Sequence, residues 1–255
     1  MDYNRNSPLL LTATIVPQSL ELLQLTDPHK RYRQYIENLI WFITESPFQK
    51  FIFCENSLAE IPEKDAIIDL CKFYNKEIEF LSFLGNKDLI LKFHRSYGDQ
   101  EIMEYALDNS KILQGSDVFY KITGRYRVKN IHDVFHSWNA MDNIFIRGGL
   151  NKNTVHTAFF KTTPGFFRMH FYGKGLQLLQ PFAKKSLERL YYHYIKQSGI
   201  NMTINGVHPE FSAEWGAGGR MDEYGWRKLK TKIFAKLGVY NIRTTKFQQG
   251  DPIFP

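Results

Sequence analysis

Apolar and polar positions in the first half of the chain alternate between two rhythms. Leu9–Val16 (LLLTATIV) is an apolar, β-branched run closed by Pro17, the pattern of a strand buried on both faces. From His29 to Glu45, Tyr32, Tyr35, Ile36, Leu39, Ile40, Phe42 and Ile43 recur at helical spacing, with Asp27-Pro28 as a start signal. Lys50–Cys54 predicts a second strand and Glu63–Tyr74 a second helix, with Ala66, Ile67, Leu70, Phe73 and Tyr74 on one stripe. Glu77–Phe83 alternates in the manner of a strand, Gln100–Leu113 predicts a helix, and Asp117–Ile122 a fourth strand. The order β-α-β-α-β-α-β predicts a mainly parallel sheet with right-handed crossovers. Ligands of such sheets sit beyond the carboxyl ends of the strands.

The second half is less regular. Asn143–Arg147 and Thr157–Lys161 read as short strands, and Phe166–Phe171 as another. Leu176–Gln197 reads as one long amphipathic helix with Pro181 near its first turns, and Asn201–Pro209 as a strand or loop. Tyr224–Leu237 predicts a basic helix. With no internal repeat and no low-complexity linker, the economical assignment is one α/β domain. Residues 1–135 then form a ligand-binding half, and residues 136–255 a helix-rich half that ends in the basic helix.

Composition narrows this picture modestly. Hydrophobic content of 43% and charged content of 23% are ordinary for a globular chain. Cys54 and Cys71, the only cysteines, stand in apolar surroundings and read as core residues in a reducing compartment. Neither a signal-peptide layout nor a membrane-spanning run is evident, so a cytoplasmic location is expected. A net charge of +7 favours anionic partners: nucleotide phosphates, nucleic acid or an acidic membrane surface.

Three strand ends carry polar residues: Thr12-Ala13-Thr14, Glu55-Asn56-Ser57 and Thr123-Gly124-Arg125. Glu55 and Asn56 suit ribose hydroxyls and a base edge; equally, Asn and Ser suit a turn or a cap. Around Arg95 and Gly98, a Gly just before a helix would let backbone N–H groups approach a phosphate. Asp99 and Glu101 also serve as ordinary first-turn acids. The run from Lys121 to Asn130 holds Lys121, Arg125, Arg127 and Lys129 and no acid. Lys121 and Arg125 there suit neutralisation of a diphosphate by fixed cations. The alternatives are a solvated basic turn or a helix of cations facing nucleic acid; the phosphate-facing turn that Thr123-Gly124 allows favours the diphosphate. In the second half Glu214, beside Trp215, is the first candidate for a general base, followed by Glu210 and Asp142. The histidines and cysteines show no metal-ligand spacing. The basic helix, with Trp226, Leu229, Ile233, Phe234 and Leu237 among its cations, suits either packing on the domain or anionic lipid.

Taken together, the motifs Thr12-Ala13-Thr14, Glu55-Asn56-Ser57, Tyr97-Gly98-Asp99-Gln100-Glu101 and Lys121-Ile122-Thr123-Gly124-Arg125-Tyr126 resemble a group of bacterial surface-polysaccharide and lipopolysaccharide glycosyltransferases. The resemblance covers roughly the first half of the chain, and the last motif is its most specific part. It implies a GT-A-like fold, a nucleotide-sugar donor (UDP- or GDP-linked) and a glycan or glycolipid acceptor. It also implies an enzyme at the inner face of the plasma membrane. Many nucleotide-sugar transferases carry Asp-x-Asp at this strand end to hold a divalent cation. Cations stand there instead, so a divalent metal is not expected to be required. The rival from another class is a basic nucleic-acid-binding protein, for which no recognition motif is present.

Overall fold

The computed structural model describes residues 7–20, 23, 25–149, 152–212 and 226–244, apart from the side chain of Arg227. Among them five strands form the main sheet: β1 (Leu9–Ala13), β2 (Lys50–Glu55), β3 (Glu77–Ser82), β4 (Phe119–Thr123) and β6 (Phe159–Thr162), in the order β3-β2-β1-β4-β6. The first four are parallel, and β6 runs antiparallel to β4. A second, two-stranded sheet joins β5 (Arg127–Val128) to β7 (Phe211–Ser212). The result is an α/β protein with a mostly parallel sheet and flanking helices, compatible with a Rossmann-like fold.

Burial on both faces explains the unbroken apolar strands. Leu9, Leu11 and Ala13 point to one side, where they meet helix α1 (Pro28–Glu45) through Tyr35, Leu39 and Phe42. Leu10 points to the other side with Ile52 and Cys54, against α4 (Arg95–Asn109) and α8 (Leu187–Ser198). Cys54 and Cys71 are both free thiols in the core, and burial pushes their thiols up. Helix α1 starts as expected: the Asp27 carboxylate accepts from the backbone N–H of His29 and Lys30, and Pro28 occupies the first turn. Helix α2 (Lys64–Phe73) lies close to its predicted span.

Several expectations are corrected. A helix not foreseen, α3 (Lys87–Phe93), precedes α4, and α4 begins at Arg95. The predicted Gln100–Leu113 helix therefore starts earlier, then breaks at Ser110 before the short α5 (Lys111–Gln114). Asn143–Arg147 makes only isolated bridges, Ile144 to Lys161 and Arg147 to Val155. Phe166–Phe171 is not a strand, because Thr163 caps and Pro164 opens helix α7 (Pro164–His170). The single long helix over Leu176–Gln197 is two pieces, a 3₁₀ turn at Gly175–Leu179 and α8. Pro181 forces the break: Gln180 before it is extended, at φ −62° and ψ 146°. The basic helix, α9, spans Trp226–Lys236. No helix among the described residues is long and apolar enough to cross a membrane.

Candidate functional site

In the sheet order, β1 is flanked by β2 on one side and β4 on the other, so the chain changes direction of winding between β1 and β4. Crevices open at such switch points. Here a cavity of about 570 Å³ lies beyond the ends of these strands. One wall comes from the first half: Thr12-Ala13-Thr14, Asn56, Gly98, Asp99, Thr123 and Arg125, with Arg95 exposed at the edge. The facing wall comes from the second half, from Thr154 to Ala158 and from Ser186, Glu188 and Arg189.

The first wall is held by bonds that converge on Thr14. Its backbone N–H donates to the Tyr35 hydroxyl at 3.1 Å, and its hydroxyl donates to Asn56 Oδ1 at 2.6 Å. Its carbonyl accepts from Arg31 Nε at 2.8 Å. Arg31 also donates to the Leu25 carbonyl at 3.1 Å, so this buried guanidinium ties the loop after β1 to α1. Gly124 serves the same packing: a Cβ there would stand 3.0 Å from the Tyr35 ring. Its N–H donates to the Thr12 carbonyl at 2.9 Å, and its carbonyl accepts from Asn38 at 3.0 Å. Gly98 lies within the first turn of α4 rather than before it. It lets the helix pass close to Asn56, whose Nδ2 would be 3.4 Å from a Cβ.

Three expected ligand residues do not line the cavity: Gly124, which packs against Tyr35, and Glu55 and Lys121, which sit behind the wall. Glu55 is fully buried, and its carboxylate accepts from the backbone N–H of Ile15 at 3.1 Å, of Ser57 at 2.9 Å and of Ala59 at 3.1 Å. It organises the turns after β1 and β2, and its acceptor capacity is used up inside the protein. Lys121 is also buried: Nζ donates to Thr123 Oγ1 at 3.0 Å and to the Thr157 carbonyl at 2.8 Å. Burial lowers its ammonium to about 8, against the opposing pull of Asp99 and Glu188. Lys161, equally buried, donates to the Trp138 carbonyl at 2.8 Å and is likewise lowered to about 8 by burial.

The base candidates separate. Asp142 is exposed and lines neither cavity. Glu210 is ion-paired to Lys228 at 2.6 Å and Lys232 at 3.1 Å, beside a second cavity between α6 (Ile131–Ser137) and α9. Glu214 lies outside the described residues. The cavity instead holds two carboxylates that the sequence did not single out as bases, Asp99 and Glu188. Burial pushes the Asp99 carboxyl up, and Lys121, Arg95 and Arg125 oppose that rise. Glu188 stands in the first turn of α8, where Ser186 Oγ donates to its Oε2 at 2.8 Å. The Glu188 carbonyl accepts from Val155 N–H at 3.1 Å and so joins α8 to the neighbouring wall segment.

His156 also lines the cavity. Burial lowers its imidazole to about 4, helped by nearby His208, and His208 is lowered to about 4 by its own burial. Both are neutral at pH 7. The cavity therefore sets five basic side chains, Arg31, Arg95, Arg125, Lys152 and Arg189, against the two carboxylates. Such a lining attracts anions. Among the described residues, no three of His, Cys, Asp or Glu converge as metal ligands. Neither protein-family models nor curated proteins give a match to this chain. What the fold and cavity define is an α/β protein with a cationic crevice at the switch point of its sheet.

Proposed function

We propose that this crevice binds a nucleotide-sugar and that the protein transfers the sugar to a glycan or glycolipid acceptor, on a GT-A-like fold. The observation that carries the reading is convergence. Thr12, Ala13, Thr14, Asn56, Gly98, Thr123 and Arg125, drawn from all four resembling motifs, line one cavity at the switch point together with Arg95, two residues before the third motif. A nucleoside suits the polar strand ends, and a diphosphate suits Arg95 and Arg125.

In a single displacement, Glu188 takes the proton of the acceptor hydroxyl as its oxygen bonds to the anomeric carbon. The bond from that carbon to the diphosphate breaks, and the electron pair leaves with the nucleoside diphosphate. Arg95 and Arg125 stabilise the charge that develops there. Asp99, set among cations, orients them. Glu188 is preferred as base because it belongs to the acceptor-side wall and keeps one carboxylate oxygen outside its bond to Ser186.

The test is a thermal-shift screen against UDP-, GDP-, CMP- and ADP-linked ligands. One nucleotide class is expected to raise the melting temperature of the wild type and not of Arg125→Ala. No shift with any class, together with salt-sensitive retention of RNA in a gel, would reject the reading in favour of a nucleic-acid-binding protein.

A further inference from the structure

Helix α9 takes no part in the crevice, and its two sides differ sharply. Toward the body, Ala235 is 2% exposed, and Lys228 and Lys232 reach the Glu210 carboxylate. Away from Ala235, Trp226, Leu229, Ile233 and Leu237 recur at steps of three and four residues, which places them on one stripe, whose middle residues Leu229 and Ile233 also border the second cavity beside α6. Their exposures are 80%, 47%, 45% and 70%. Lys230 lies along one flank of the stripe and Lys236 along the other, both exposed. An amphipathic helix that only packed on its domain would turn this stripe inward.

The segment that presents the stripe is anchored. Just beyond α9, Tyr240 accepts at its carbonyl from Arg147 N–H at 2.9 Å, and Ile242 exchanges two backbone bonds with Met202 at 2.9 Å each.

We propose that this face of α9 docks the protein on a bilayer containing anionic phospholipid. Apolar side chains flanked by lysines match the boundary between acyl chains and headgroups, where Trp is at home and ammonium groups reach phosphates. A nucleic acid would engage the lysines and leave the apolar stripe in water. The inference is independent of the reaction proposed above.

The experiment mixes the full chain with vesicles of phosphatidylcholine, alone or with phosphatidylglycerol as a minor component. The wild type is expected to sediment with the anionic vesicles and to stay in solution with the neutral ones. The double variant Trp226→Ser/Leu237→Ser, altered only at exposed positions, is expected to lose about tenfold or more in partitioning. Lys230→Glu/Lys236→Glu is expected to lose a similar amount. A second readout needs no folded double variant. Brominated acyl chains should quench wild-type tryptophan emission, and Trp226→Phe should bind while losing that quenching. The proposal is overturned by absent binding to anionic vesicles, by undiminished binding of the serine double variant, or by quenching that survives in Trp226→Phe. Tight binding to single-stranded RNA without vesicle binding would assign the lysines to nucleic acid and overturn it too.

Discussion

Lys121 Nζ donates to the carbonyl of Thr157 at 2.8 Å and so joins β4 to the opposite wall of the crevice. The same ammonium holds Thr123 Oγ1 at 3.0 Å, which gives one buried cation a grip on a residue from each wall. The sequence placed Lys121 on the diphosphate; its bonds make it a brace within the fold instead. Lys121→Ala leaves a cavity and strips the Thr157 carbonyl of its donor, at a cost of about 2–4 kcal/mol. Chemical denaturation measures it, and a wild-type unfolding midpoint would reject the bracing role.

Glu55→Gln is expected to behave as a stability variant. The amide keeps one acceptor but places an N–H₂ among the backbone donors of Ile15, Ser57 and Ala59. A loss of about 2–3 kcal/mol follows. Nucleotide affinity of the fraction that remains folded should be close to wild type, as titration calorimetry below the melting range will show. A selective loss of affinity at wild-type stability would restore the ribose role.

With Glu188 as the base of the proposed transfer, Glu188→Gln should lower kcat by about 10²-fold or more while leaving donor affinity and melting temperature nearly unchanged. Arg125→Ala should instead weaken donor binding by about tenfold to a hundredfold, the worth of a charge-assisted bond. Donor binding by the wild type should persist in excess chelator, because the proposed reaction sets Arg95 and Arg125, rather than a metal, against the diphosphate. Strict dependence on an added divalent ion would remove that account. Full activity in Glu188→Gln would move the base elsewhere, with Glu214 next to be replaced.

Stability should follow pH on both sides of neutrality. His156 and His208 are lowered from 6.5 to about 4, so between those values the unfolded chain binds more protons than the folded one. Their contribution is present above pH 6.5 and is lost as pH falls toward 4, on the order of 1–3 kcal/mol each. Lys121 and Lys161 are lowered from 10.5 to about 8, so unfolding free energy should rise as pH climbs above 8. That gain ends near pH 10, where buried Tyr191, raised by burial, begins to favour the unfolded chain on ionisation. Denaturation curves across this range, compared with His208→Asn and Lys161→Met, check both limbs. A flat acid limb in the wild type would contradict the histidine assignment.

The central strands were legible because their signal is local and redundant. Leu9 to Leu11 and Phe51 to Phe53 are apolar on both faces, and the helices between them carry clear 3.6-residue stripes. Failures came where a short-range signal was outvoted. The aromatic run at Phe166–Phe171 hid the Thr163-Pro164 helix start, and Pro181 was read as tolerated where it ends the 3₁₀ turn. The first-half wall of the site was found because polar residues at strand ends are unusual. Glu55 was misplaced by a single position, since its neighbour Asn56 is the one that lines the cavity, whereas Lys121 shares a face with Thr123 but lies two residues deeper in β4, where the fold covers it. Glu188 and His156 carried no signal beyond a first-turn acid and a lone imidazole. They reach the crevice only through pairings such as Val155 with Glu188, which sequence spacing does not encode.

The place of β1 at the centre of the sheet bears on how the protein is made. Leu9 pairs with Phe51 on one side and with Tyr120 on the other. A chain emerging from the ribosome can set β1, β2 and β3 together while β4 is still unsynthesised, which leaves the inner edge of β1 bare and apolar on both faces. That edge is a template for mispairing until Tyr120 arrives, and β4 in turn waits for β6. No ligand can rescue the nascent chain during that interval, because the crevice exists only once both its walls have been translated. Misfolding risk is therefore concentrated in the first half of synthesis, and holding chaperones that cover exposed strand edges would act there.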